Sequence, residues 1–339
     1  MLRSRATGNQ QLNVEKTMIP TINIGTWLSP TSNPQSRDAV VDEIRSACRA
    51  YGFFQLEGHG IPLEMQNEVL ECAERFFSLP LEQKREISIK NSIGSANRGY
   101  EHFQGQRLET KALPDLKEGF FIGEEIPIDS PRAGKFLQGP NQWPASLPRQ
   151  NFQDPLLEYR RRMVELAELV LRLLGLALPE KHSSANFFDQ FMIHPSGNLR
   201  LLHYPPQTST DEMQLGAGAH TDFGGLTLLL QQPDTSGLQV WYPPTATWIP
   251  VPVRENSFVV NIGDLLQLWT GGYYRSALHR VINRGENHRY SAPFFYNGNG
   301  DLEFEPIDES GSKTTVSEHI RGKLLTSLGK INQDATSVV

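Results

Sequence analysis

His220, Asp222 and His279 are the residues of this chain whose types and spacing could act together on chemistry. In an extended segment, positions i and i+2 point to the same side. His220-Thr221-Asp222 can therefore aim an imidazole nitrogen and a carboxylate oxygen at one point. Alone, a His-x-Asp pair is common. His279, in a second segment of strand character, supplies a third donor. Two histidines and one carboxylate on one face of a metal leave three positions open. That suits Fe(II) enzymes that bind a co-substrate and O2 together. Zinc is more often met by His and Cys, and Cys48 and Cys72 lie far from these ligands in sequence. Beyond His279, Arg289 and Ser291 would share a strand face, where guanidinium and hydroxyl make a clamp for a carboxylate. His59, His182, His194, His288 and His319 stand alone and are read as surface or hydrogen-bonded residues.

The elements that must position these groups follow from periodicity and turn chemistry. A short strand is expected at 21–24. A helix over about 38–51 carries Val40, Val41, Ile44, Ala47 and Cys48 at three-to-four spacing and ends at Gly52. A strand at 53–56 and a helix from Pro62 to Pro80 follow. Residues 88–153 are rich in Gly, Pro and Asn and read as loops over a site. Asp154-Pro155 reads as a capped start of a long helix to Leu174. From about 190 the texture becomes short strands at 199–204, 226–232, 238–242, 247–251, 258–262, 277–282 and 290–296. This spacing indicates an antiparallel sandwich or barrel. A last helix is expected at 316–328. The organisation is a flexible arm (1–18), an N-terminal region (19–150), a supporting helix (151–185), a β core (190–300), and a C-terminal helix and tail (301–339).

Composition excludes several classes. The chain has 339 residues, 38% hydrophobic and 21% charged, with net charge −6. Nothing in that balance draws a nucleic-acid backbone or an anionic membrane. No apolar run is long enough to span a bilayer, and the N-terminus lacks the apolar stretch of a secretory signal. Two cysteines make no disulfide framework, consistent with reduced thiols and a cytoplasmic setting. The oligomeric state is not written in the chain.

His220-Thr221-Asp222, His279 and Arg289-Tyr290-Ser291, in that order and spacing, resemble the 2-oxoglutarate/Fe(II)-dependent dioxygenases of the isopenicillin N synthase-like superfamily. The likeness extends to Ile19–Asn23, Tyr51–Ile61, Phe76–Pro80, Gly237–Val240, Asn261–Asp264 and Tyr273–Arg280. It covers about residues 19–300. The texture around Ser291–Asn297 and Glu118–Glu125 is similar to fungal members. The resemblance implies an α+β, mainly β fold: a distorted double-stranded β-helix (jelly roll), a long supporting helix and an N-terminal α/β region. It implies Fe(II) held by His220, Asp222 and His279, with O2 and 2-oxoglutarate as co-substrates. Arg289, Ser291 and Tyr204 would bind 2-oxoglutarate. Leu202 stands where plant relatives often carry Asn, so one amide contact is missing.

The implied reaction is hydroxylation of an unactivated C–H bond of a small molecule. A free amino acid such as proline, pipecolate or leucine, or a natural-product intermediate, would serve as substrate. Desaturation or ring rearrangement shares the same early steps. A rival within the superfamily is an Fe(II) oxidase that uses no 2-oxoglutarate. Arg98, Gln106, Phe121, Trp269 and Phe295 are the candidate substrate contacts, with residues 95–125 as part of the pocket. The basic residues Arg98, Arg107, Lys111 and Lys117 suggest a substrate with a carboxylate or other polar handle.

Overall fold

The computed structural model describes residues 18–109, 112–207, 211 and 213–327. Most of the expected N-terminal arm, Lys111, and the tail from 328 lie outside the described residues. In the N-terminal half, β1 (Thr21–Asn23), α1 (Gly25–Leu28), α2 (Pro34–Ala50), β2 (Phe53–Glu57), α3 (Leu63–Phe77) and α4 (Leu81–Glu86) precede β3 (Gly99–Glu101) and β4 (Glu118–Ile122). The long helix α5 (Gln153–Leu176) leads into β5 (Ser196–Tyr204), β6 (Ala217–His220), β7 (Leu226–Gln231), β8 (Leu238–Tyr242), β9 (Thr247–Pro250) and β10 (Phe258–Ile262). A short α6 (Asp264–Trp269), β11 (His279–Val281), β12 (Arg289–Gly298), β13 (Glu303–Phe304), β14 (Thr314–Thr315) and α7 (Val316–Ser327) complete the chain.

The strands form a large sheet of order β1-β2-β10-β7-β12-β5-β4-β3 and a small one of order β6-β11-β8-β9. Pairing is antiparallel except between β1 and β2. The two sheets face each other as a double-stranded β-helix, and the expected mainly-β α+β class is the observed one. The N-terminal strands extend the large sheet itself: β2 pairs with β10, and β4 with β5.

Local sequence explains most elements. Asn33 accepts the Ser36 N–H at 2.8 Å, and Pro34 opens α2. On α5, Met163, Leu166, Val170, Leu173 and Leu174 are buried behind the large sheet. Each fully buried leucine contributes about 1.5–3 kcal/mol relative to exposure. Two expectations need correction. Asp154 is not the cap of α5; the cap position is Phe152, and Asp154 pairs with Arg149 at 2.9 Å. The stretch 88–153 is not all loop: β3 and β4 hydrogen-bond to each other and extend the sheet beyond β5. They are only three and five residues long, and the Gly, Pro and Asn around them mask so short a run. Cys48 and Cys72 are free and buried, and burial pushes both thiols up, Cys72 to about 12.

Candidate active site

His220 ends β6 and His279 begins β11, and these two residues are directly paired across the small sheet. Asp222 follows two residues after His220, where the chain turns toward β7. The Nε2 atoms of both histidines lie 3.9 Å from one oxygen, Asp222 Oδ1. That separation is too long for a hydrogen bond and leaves space for an ion among three donors, all within 4.8 Å of one another. The other ring nitrogens are committed. His220 Nδ1 donates to Gly218 O at 2.7 Å, and His279 Nδ1 to Ala277 O at 3.1 Å. These bonds set the tautomer that turns each Nε2 lone pair to the centre. Asp222 Oδ2 accepts from Thr227 Oγ1 at 2.6 Å and Asn261 Nδ2 at 2.7 Å, which leaves Oδ1 to face the gap.

The electrostatics agree with that role. Burial, helped by the neighbouring His279 and opposed by Asp222, pulls His220 down to about 3, so its imidazole is neutral. Burial would raise Asp222. His279, His220 and the bonds from Asn261 and Thr227 outweigh it and hold the carboxyl below its usual range, ionised. Two imidazoles and one carboxylate, with a side left open to a cavity, fit a divalent iron.

The cavity runs between the two sheets. Its wall beside the triad carries Tyr204, Arg289 and Ser291. Strand register explains this: Arg289 is opposite Tyr204, and Ser291 opposite Leu202. Arg289 is 2% exposed, its guanidinium lies 4.7 Å over the Tyr204 ring, and its Nε and Nη1 have no hydrogen-bond partner among the described residues. Buried, unpaired donors of a permanent cation are costly. They fit an anionic ligand such as the distal carboxylate of 2-oxoglutarate.

At the outer end, Gln106, Phe121 and Phe295 share a cavity with His220 and Asp222. Arg98 and Trp269, both expected there, lie elsewhere. Arg98 is 1% exposed and spends its guanidinium on backbone: Nη1 donates to Ala96 O and Nη2 to Leu137 O, each at 2.7 Å. It braces the loop. Trp269 ends α6 and packs among Phe187, Phe188, Phe191 and Phe304. Arg200 escaped the sequence reading. It lies over the Phe121 ring at 4.3 Å, contacts Glu101 and Gln106, and keeps its buried Nε unpaired. The signal was present, since Arg200, Leu202 and Tyr204 alternate on one face of β5. Gly119 makes room for it: a Cβ there would sit 2.8 Å from Arg200 Nε. Ile320 and Leu324 of α7 also line this end.

Comparison with known proteins agrees with the geometry. A family model described as non-haem dioxygenase in morphine synthesis N-terminal matches residues 19–146, and the 2OG-Fe(II) oxygenase superfamily model matches 195–298. The 2-oxoglutarate-dependent dioxygenase tropC of Talaromyces stipitatus is 49% identical over 319 residues, covering 94% of this chain and 98% of tropC. Clavatol oxidase claD of Penicillium crustosum is 40% identical over 332 residues, covering 91% of this chain and 96% of claD. Neurospora crassa T7H in complex with alpha-KG and thymine superimposes with a TM-score of 0.79 at 28% identity, covering 93% of this chain and 99% of T7H. These likenesses favour the 2-oxoglutarate-using enzyme over the oxidase that dispenses with it. The chain therefore belongs to the 2OG-Fe(II) oxygenase superfamily and is a 2-oxoglutarate-dependent dioxygenase, working with Fe(II), 2-oxoglutarate and O2.

Proposed function

We propose that this dioxygenase oxidises an unactivated C–H bond of a small ring-bearing intermediate of fungal natural-product metabolism. His220, Asp222 and His279 would hold Fe(II). Arg289 and Ser291 would bind the distal carboxylate of 2-oxoglutarate, with Tyr204 beneath the guanidinium. The bound iron, 2-oxoglutarate and O2 supply the oxidising chemistry. The protein's own part is orientation and dryness. Thr227 and Asn261 fix the Asp222 carboxylate, Gly218 and Ala277 fix the imidazoles, and apolar walls keep bulk water from the reacting carbon.

The observation that carries the substrate class is the state of Arg200. Its charge is already met by Glu101, so it does not call for a substrate carboxylate. Its guanidinium lines the slot and offers a hydrogen bond to a neutral acceptor, a carbonyl or phenol oxygen. Around it, Phe121, Phe295, Leu108 and Leu324 supply apolar wall. A free amino acid fits less well, because its carboxylate and ammonium would each need a partner there. The relatives tropC and claD are fungal proteins, which supports the natural-product setting. No described helix is long and apolar enough to cross a membrane.

The test is succinate release across two panels, free amino acids and small aromatic aldehydes, ketones and phenols. Stimulation by the second panel is expected. Stimulation by proline, pipecolate or leucine alone would reject the ring-bearing class.

A further inference from the structure

Asp115 and Lys117 form an ion pair at 2.6 Å with side chains 0% and 3% exposed. Taking two charges out of water is costly even when they meet, and the reaction as assigned uses neither. The second oxygen of Asp115 shows what the pair is near. Asp115 Oδ1 accepts the Gly218 N–H at 3.0 Å. Glu109 Oε2 accepts the next N–H, that of Ala219, at 3.2 Å. Two carboxylates from one loop thus grip consecutive amides of β6, immediately before His220. The same loop is fastened alongside by Leu116 N–H to Leu215 O at 2.9 Å. Gly218 permits the approach: a Cβ there would lie 2.8 Å from Glu109 Cβ and 3.3 Å from Asp115 Oδ1.

The peptide unit between Gly218 and Ala219 is the link. Its N–H is held by Glu109, and its C=O accepts the Nδ1–H of His220 at 2.7 Å. Hydrogen bonds in such a chain polarise one another. A carboxylate on the N–H makes the C=O a better acceptor. A better acceptor on Nδ1–H orients the ring and makes Nε2 a stronger donor to a metal.

We propose that Glu109 and Asp115 are positioning residues for the metal, Glu109 holding the Gly218–Ala219 peptide that orients His220 and Asp115 anchoring the amide before it, with Lys117 neutralising the more deeply buried of the two carboxylates. The proposal rests on the assignment of His220 as a ligand. It also joins the two ends of the cavity, because the same loop carries Gln106 and Leu108 into the substrate slot.

Cobalt(II) titration of the metal-free full chain tests it, since the visible bands of bound Co(II) report ligand geometry as well as affinity. Glu109→Ala and the double variant Asp115→Ala/Lys117→Met should each weaken Co(II) binding about 10–100-fold and shift the bands. Glu109→Gln and Asp115→Asn/Lys117→Met keep an acceptor for the amide and should bind more tightly than their alanine counterparts. Wild-type affinity and bands in the alanine variants overturn the proposal, as does equal loss in the amide and alanine members of each pair. Glu109 makes no ion pair with Lys117, so its two variants decide the matter if an Asp115 variant fails to fold. His220→Ala is the control. If it binds Co(II) like wild type, the ligand assignment fails rather than the positioning role.

Discussion

The two ends of one cavity are built from different material. The inner end is strand: Arg289 and Ser291 on β12, Tyr204 on β5, His279 on β11, with His220 closing β6. Ladder pairing fixes these side chains in register, Arg289 against Tyr204 and His279 against His220. The outer end is mostly loop and terminal helix, with Gln106, Leu108, Leu137, Ile320 and Leu324 closing over Phe121 and Phe295. Rigid strands suit a chemistry that tolerates little misplacement. Loops and a terminal helix can change without disturbing the ladder, which is where specificity can vary.

Substitutions at the two ends should therefore fail differently. The largest effect is expected from His220→Ala, Asp222→Ala or His279→Ala, each of which should abolish turnover while leaving the thermal transition largely intact. Iron content and succinate release measure this; near-normal values in any one variant would break the triad. Next comes Arg289→Ala, expected to raise the KM for 2-oxoglutarate by about 2–5 kcal/mol of lost binding while the main-substrate KM moves little. A selective loss of main-substrate affinity would reverse the assignment of the two ends.

At the outer end, Arg200→Ala should show the opposite split. A hydrogen bond from its charged guanidinium is worth about 1.5–3 kcal/mol, so the main-substrate KM should rise about 10–100-fold with the 2-oxoglutarate KM unchanged. Equal effects on both constants would mean that the ends are not separable. Leu324→Ala removes apolar wall from the slot. It should shift preference toward bulkier substrates by about 1–3 kcal/mol, read as a change in the ratio of kcat/KM values between two ring sizes.

The smallest effect lies behind the inner end, on the opposite face of β4 and β5. Glu118 accepts from Tyr100 OH at 2.6 Å, His203 Nδ1 at 2.8 Å and Lys84 Nζ at 2.9 Å. Against burial, which raises it, these bonds hold the carboxyl below its ordinary value of 4.5. A depressed carboxyl contributes stability that is present above the unfolded value and lost as pH falls through the folded one. The melting-temperature gap between wild type and Glu118→Gln should thus be full near neutral pH and narrow as pH drops below about 4.5. A gap independent of pH would remove this network as the cause.

Legibility in the sequence followed the same division. The core strands showed as short runs of branched and aromatic residues bounded by turn residues. Phe258–Ile262 and Leu238–Tyr242 were readable to the residue. β4 was not, because a five-residue run set among Gly, Pro and Asn is too short a pattern to stand out. Arg98 and Trp269 misled for a related reason. An arginine in a loop and a tryptophan near the strands that bear the triad are chemically suited to a pocket, yet side-chain direction put one on backbone carbonyls and the other in an aromatic cluster.

By itself the sequence determined the donor types, their order and most of the core strands, though not β6, because strand propensity and turn chemistry are local. It also carried the family likeness. Only the tertiary structure decided that both Nε2 atoms meet one Asp222 oxygen, that Arg289 keeps two donors without partners, that Arg200 is already balanced by Glu101, and that α7 closes the slot. Each of these joins residues distant along the chain. Their distances are set by sheet register and packing, to which no local pattern of residues has access.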